Sequence, residues 1–218
     1  MERYAIVVAG GTGSRMGTDI PKQFLVLKGM PLLMHSIEKF SRHCKRVIVV
    51  LPSDRKEQWE ALCSEFRFTV PHEIVSGGTM RAESVKNGLD VLETEGVIAI
   101  HDAARPLLSD KLITRLLTVA EQEGSAIPVI KVGDSLRKLT GNASKAVDRN
   151  EYRLVQTPQC FDINLIRKAF LQPGFRNFTD EASLAEAAGY SVNLVEGEST
   201  NIKITLPSDL SYAESLMM

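Results

Sequence analysis

The chain has 218 residues, 44% hydrophobic and 24% charged, which is enough to bury a sizeable core and lies within the usual size of one α/β domain. Its 26 basic residues against 27 acidic ones leave a formal net charge of -1, so there is no global basic field of the kind a nucleic-acid partner selects, and any phosphate affinity must be local. Three scattered cysteines, Cys44, Cys63 and Cys160, form no CxxC or Cys/His cluster, and no apolar run nears the roughly 20 residues that span a bilayer, so no disulfide framework, zinc site or membrane is expected and a reducing cytoplasm fits.

In chain order, short β-branched runs alternate with stretches of helical periodicity. Tyr4 to Ala9 reads as a strand, Leu32 to Phe40 as a helix, Arg46 to Leu51 as a strand and Lys56 to Phe66 as a helix. Ala82 to Leu92 then predicts a helix, Val97 to His101 a strand, Asp110 to Glu121 a helix closed by Gly124, and Ala126 to Ile130 a strand. Glu181 to Ala188, closed by Gly189, is a further helix, and Ser191 to Val195 a further strand. This alternation predicts an α/β fold, a Rossmann-like three-layer sandwich with a mainly parallel sheet, whose ligand site lies in the loops after Ala9, Val75 and His101. Only Lys131 to Tyr152 departs from the pattern: short alternating runs around Thr140-Gly141-Asn142 read as a protruding β-hairpin. A two-stranded ribbon is marginal alone in water, so this one must dock on its own domain or on a second subunit. No linker or repeat appears, and residues 1–218 read as a single domain with an excursion at about 131–152.

The loops carry the chemistry. Ala9-Gly10-Gly11-Thr12-Gly13-Ser14-Arg15-Met16-Gly17 follows the first strand directly, and its glycines let backbone N–H groups approach an anion. Arg15 and Lys22 are placed to meet polyphosphate oxygens, with Pro21 restricting the path. Neither common phosphate loop is present. Arg15 and Met16 break the GxxxxGK(S/T) register, Met16 stands where GxGxxG needs its third glycine, and Leu51 stands where the dinucleotide fold needs an acid. A second turn, Ser76-Gly77-Gly78-Thr79-Met80-Arg81, opens a helix and is placed to seat a base or ribose. The third puts Asp102 at the carboxyl end of a strand with Arg105 three residues on. A carboxylate there suits magnesium, which takes one or two carboxylates together with substrate phosphate oxygens and water. His101 reads as a packed strand residue rather than a base. Further on, Asp148-Arg149-Asn150 leaves the hairpin, Thr157-Pro158-Gln159 follows a short strand, and Phe178-Thr179-Asp180-Glu181 begins a helix with an N-cap pattern. Near the end, Lys203 lies between apolar residues of a strand-like run, Asn201 to Thr205, where an inward lysine requires an anion.

Taken together, VVAGGTGSRMGTDIPKQF, SGGTMRAESV, HDAARP, DRN, TPQCF, TDEAS and NIKIT, in that order from residue 5 to about 213, resemble the 2-C-methyl-D-erythritol 4-phosphate cytidylyltransferases of the non-mevalonate isoprenoid pathway. The resemblance implies cytidylyl transfer from CTP to that polyol phosphate with release of pyrophosphate. It implies that Arg15 and Lys22 stabilise charge developing at the α-phosphate and that Asp102 and Lys203 bind Mg2+ and phosphates. By the same resemblance Gly10, Gly78 and Ser84, within the turns formed by Ala9, Gly11, Gly13, Gly77 and Thr79, contact the nucleotide. Arg105, Arg149, Thr157 and Thr179 would hold the acceptor. In the family the hairpin is a dimerisation arm that crosses to the partner of a homodimer, so Arg149 would serve the neighbour's site. The family commonly has an acid after the second Gly-Gly; Thr79 stands there, which implies a base read through backbone groups and Ser84. Two other readings stay open: a D-ribitol 5-phosphate cytidylyltransferase, from which HDAARP and TDEAS set the chain apart, and a silent sugar-nucleotide binding module, against which Arg15, Lys22, Asp102 and Lys203 speak.

Overall fold

The computed structural model describes residues 1–11, 20–92 and 95–217. In chain order the described elements are β1 (Arg3–Val8), β2 (Val26–Leu27), β3 (Met30–Pro31), α1 (Leu32–Ser41), β4 (Arg46–Leu51), α2 (Lys56–Glu65), β5 (Glu73–Ser76), α3 (Arg81–Asp90), β6 (Val97–Asp102), α4 (Asp110–Glu123) and β7 (Ser125–Lys131). They continue with β8 (Leu136–Thr140), β9 (Ala143–Val147), β10 (Arg153–Val155), β11 (Gln159–Asp162), α5 (Ile163–Ala169), α6 (Glu181–Ala187), β12 (Leu194–Glu196) and α7 (Pro207–Leu216).

Continuous apolar runs such as Ala5-Ile6-Val7 are what a strand covered on both faces requires. Accordingly Ala5 and Val7 pack into one core cluster with Leu33, Ile37 and Trp59 of α1 and α2 and Leu112 and Leu116 of α4. Tyr4 and Ile6 pack into the other, with Val85 and Leu89 of α3, Ile166 of α5 and Leu184 of α6. Two cores on opposite faces of one sheet make the three layers that the alternating pattern predicts. The strand order is β10-β7-β11-β6-β1-β4-β5, with β12 also paired to β7. β1 pairs in parallel with β4 and β6, and β4 with β5.

Several expectations need correction. The sequence pattern predicts no strand at Gln159–Asp162, yet β11 runs there, antiparallel between β6 and β7. The expected strand Ser191 to Val195 begins only at Leu194. Asn201 to Thr205 joins no ladder. It is an extended strap whose Ile204 N–H bonds to the Ala104 carbonyl at 2.8 Å. The helix-ending glycines are as expected, Gly124 at φ 81 and Gly189 at φ 85, both in the left-handed region that glycine tolerates. β8 and β9 form the hairpin, from Leu136 opposite Val147 to Thr140 opposite Ala143, and Leu139 on it is 76% exposed. All three cysteines are free, and among the described residues no helix is long and apolar enough to cross a membrane.

Candidate active site

From β1 the chain crosses to β4 and β5 on one side and then returns to β6 on the other, so the sheet switches direction between β1 and β6. Loops leaving the carboxyl ends on the two sides of such a switch diverge and leave a crevice. Here the crevice is a cavity of about 380 Å³. Ala9, Gly10 and Gly11 after β1, Gly78, Thr79 and Ser84 around the start of α3, Asp102 at the end of β6, and the cations Lys22, Arg81 and Lys203 all line it. The three loops that the alternation pointed to therefore meet in one place.

Each turn is fixed by its own hydrogen bonds. Ala9 donates to the Val50 carbonyl at 2.9 Å, and its own carbonyl accepts from the buried Gln23 amide at 2.7 Å, which also seats the adjoining Lys22. Gly77 N–H bonds to the Leu51 carbonyl at 2.7 Å, and Gly78 N–H to Ser84 Oγ at 3.1 Å. Glu83 Oε2 accepts from Thr79 N at 2.9 Å and Thr79 Oγ1 at 2.6 Å, so the Thr79 hydroxyl directs its proton to its own helix. Deeper in, Gly88 lets α3 lie close on the sheet: a Cβ there would come within 3.1 Å of Ile6 Cδ1 and Val50 Cγ2. That closeness brings the second turn over the end of β1.

Asp102 sits at the centre of the charges. Its Oδ2 accepts from Lys203 Nζ at 2.6 Å and its Oδ1 from Arg81 Nε at 3.3 Å. Burial opposes ionisation of this carboxyl, but the Arg81 and Lys203 charges overcome it and hold it well below the usual carboxylate range. Behind Arg81 lies Glu181, which accepts from both terminal guanidinium nitrogens at 2.7 and 3.0 Å. Burial pushes the Glu181 carboxyl up against the pull of Arg81. Lys203 was expected to need an anion; its anion within the chain is Asp102.

A second network lies beneath the cavity. His101 is buried, and burial pushes its pKa down to about 4, so the ring is neutral near pH 7. Its Nε2 lies 3.1 Å from the Arg105 carbonyl and must donate there, which leaves Nδ1 to accept from Thr157 Oγ1 at 3.1 Å. That hydroxyl in turn accepts from Asp102 N–H at 3.1 Å. The strap that carries Lys203 is tied from the same side. Gln156 donates to the carbonyls of Glu198 and Asn201 at 2.8 and 3.2 Å, Arg105 donates to the Asn201 carbonyl at 2.7 Å, and Asn201 donates to the Thr157 carbonyl at 2.9 Å.

Of the residues singled out in the sequence, Arg15 and Gly13 lie outside the described residues. Ala9, Gly10, Gly11, Lys22, Gly78, Thr79, Ser84, Asp102 and Lys203 are brought together at the cavity, with Gly77 just behind them. Thr157 and Arg105 stand beneath it in the networks above. Thr179 is exposed beside Asp180, the residue that caps α6 by accepting from Ser183 N–H. Arg149 is exposed at the foot of the hairpin, donating to the Gly133 carbonyl. Sequence reasoning passed over Arg81, Glu181 and Gln156. Arg81 and Glu181 lay inside quoted blocks, but nothing in a linear sequence shows that two residues 100 positions apart share a fork.

Cations around a lone carboxylate, above glycine turns at a switch point, select a polyphosphate, and in an α/β fold this describes a nucleotidyltransferase. The profile of the 2-C-methyl-D-erythritol 4-phosphate cytidylyltransferase family matches residues 4–218. The enzyme of that name from Bacteroides thetaiotaomicron is 44% identical, and that from Bacteroides fragilis 46%, each alignment covering 100% of both chains. The solved structure of the Thermus thermophilus enzyme is similar with a TM-score of 0.83 at 36% identity, covering 99% of this chain and 98% of that one. The chain belongs to the 2-C-methyl-D-erythritol 4-phosphate cytidylyltransferase family.

Proposed function

We propose that the chain transfers the cytidylyl group of CTP to 2-C-methyl-D-erythritol 4-phosphate, giving 4-diphosphocytidyl-2-C-methyl-D-erythritol and pyrophosphate. The observation that carries this reading is Asp102, held between Lys203 and Arg81 at the mouth of a cavity walled by both glycine turns. An oxygen of the acceptor phosphate attacks the α-phosphorus, the bond from that phosphorus to the bridging oxygen breaks, and the electron pair leaves with pyrophosphate. Because the acceptor is already ionised, the site supplies position and charge rather than a base, which agrees with a buried, neutral His101. Lys22 and Arg15 meet the charge growing at the α-phosphate, and Lys203 holds the phosphates beside Asp102. Thr179, and Arg149 from the arm of a second copy, serve the acceptor. Arg105, which the family resemblance also assigns to the acceptor, lies beneath the cavity and ties the strap that carries Lys203.

Among the described residues no cluster of three metal-ligating side chains exists, and Asp102 is the single carboxylate lining the cavity. That donor set fits Mg2+, which binds through one carboxylate plus phosphate oxygens and keeps its waters. A carboxylate has about four lone-pair sites, so Asp102 can serve Lys203, Arg81 and a cation together. Bound there, the ion would neutralise charge on the triphosphate. A homodimer joined by the exposed hairpin and a cytoplasmic location complete the reading.

Purified protein with magnesium and CTP, offered 2-C-methyl-D-erythritol 4-phosphate or D-ribitol 5-phosphate separately, tests it through pyrophosphate release. Turnover with the first is expected; turnover only with the second would move the substrate, and silence with both would sink the reading. Lys22→Ala should lower turnover by roughly a hundred- to a thousandfold, the scale of losing one transition-state donor.

A further inference from the structure

Glu181 opens α6 and is 1% exposed, yet its only charged partner among the described residues is on the cavity wall. Both of its oxygens are taken by the terminal nitrogens of Arg81, at 2.7 and 3.0 Å. Only Nε remains to Asp102, at a longer 3.3 Å. A guanidinium is a rigid planar fork, and its strongest hold on a carboxylate is two-toothed. Two carboxylates compete for this fork, and the one buried behind it receives both teeth while the one facing the cavity receives a single looser contact. Burying a carboxylate is costly unless it is fully paired, so the two-toothed hold stays on the Glu181 side.

We propose that Glu181 is a positioning residue for the reaction: it retains the Arg81 fork away from Asp102, so that Asp102 keeps oxygen lone pairs for the divalent cation that arrives with the triphosphate. This rests on the reading of Asp102 as the metal-side carboxylate and names the two residues that govern its availability. With Glu181 neutral, the fork turns its terminal nitrogens toward Asp102 and competes with the cation. A pair that merely fastened α3 to α6 would change stability and leave Asp102 as it was.

The test is Mn2+ binding in the presence of CTP and the absence of acceptor, read by electron paramagnetic resonance, for the unaltered protein, Glu181→Gln, Glu181→Gln with Arg81→Met, and Arg81→Lys, with thermal unfolding of each. Glu181→Gln is expected to weaken Mn2+ binding about fivefold or more, within the usual span of coupling between sites. With CTP held saturating for every variant, adding Arg81→Met removes the competitor and should bind Mn2+ more tightly than Glu181→Gln alone, although the double variant is the less stable protein. Arg81→Lys keeps the charge without the fork and should bind Mn2+ at least as tightly as the unaltered protein; it carries the test if Glu181→Gln does not fold. Unchanged affinity in Glu181→Gln, weaker binding in the double variant than in the single, or a loss of about fivefold in Arg81→Lys overturns the proposal. Since the measurement needs no acceptor, a wrong acceptor would show in the turnover assay and leave these outcomes readable.

Discussion

The two glycine pairs in the turns at the cavity, Gly10-Gly11 and Gly77-Gly78, lack side chains for different physical reasons. A Cβ added at Gly10 would lie 3.8 Å from Ser84 Oγ, an ordinary contact, and one at Gly11 would meet no described atom within 4 Å. At Gly78 the same atom would fall 2.3 Å from Glu83 Cβ, and at Gly77 2.9 Å from Ser84 Oγ. The first pair keeps room that the described residues leave unfilled, which on the proposed function is room for the nucleotide. The second keeps room for its own helix, because α3 must begin close under the turn for Ser84 and Glu83 to catch its amides. On that reading, two turns alike in sequence serve recognition in one case and packing in the other.

Gly78→Ala should break the second turn most severely. Forcing backbone and Glu83 apart costs about 1–3 kcal/mol, visible as a lowered unfolding midpoint, with a raised KM for CTP as the turn shifts. Gly10→Ala should separate the two cases most clearly: the unfolding midpoint stays put while KM for CTP rises about tenfold, the equivalent of about 1.4 kcal/mol of lost ligand contact. A fall in stability at Gly10 equal to that at Gly78 would erase the distinction. The smallest effect belongs to a third glycine turn. Gly141 joins β8 to β9 at φ 58 with nothing within 4 Å, so handedness alone requires it. Gly141→Ala on so exposed a ribbon should move the stability of the core by less than about 0.5 kcal/mol and show instead as weaker self-association in sedimentation.

The parts of the fold that repeat a simple period were legible in the sequence. β4 runs from Arg46 to Leu51 as its β-branched residues indicate, and α4 starts at Asp110 as its spacing indicates, both because burial of a continuous face leaves a pattern in the residues themselves. β11 was not legible: Gln159-Cys160-Phe161-Asp162 is four residues long with polar ends, and its place between β6 and β7 is set by tertiary pairing, not propensity. α7 likewise begins at Pro207 on a segment with little periodic apolar content, buries Ala213 alone among its residues, and escaped notice. Within the site, Asp102 and Lys203 stood out because charge among apolar residues needs a reason. Gln156 did not, since an amide that grips the backbone of residues 198 and 201 looks like any other surface glutamine until the strap is folded against it.

Lys203 reaches Asp102 from 101 positions further along the chain, and Glu181 reaches Arg81 from 100. A ribosome releases these groups in a fixed order, amino end first. α3 and β6, which carry Arg81 and Asp102, emerge early, while the buried acid that holds Arg81 and the lysine that answers Asp102 arrive about a hundred residues later. A chain made only as far as α5 therefore carries Asp102 and Arg81 without Lys203 and Glu181, the partners that reach them in the folded protein, so the charge arrangement around the cavity is a late event of synthesis, complete only once residue 203 has been made.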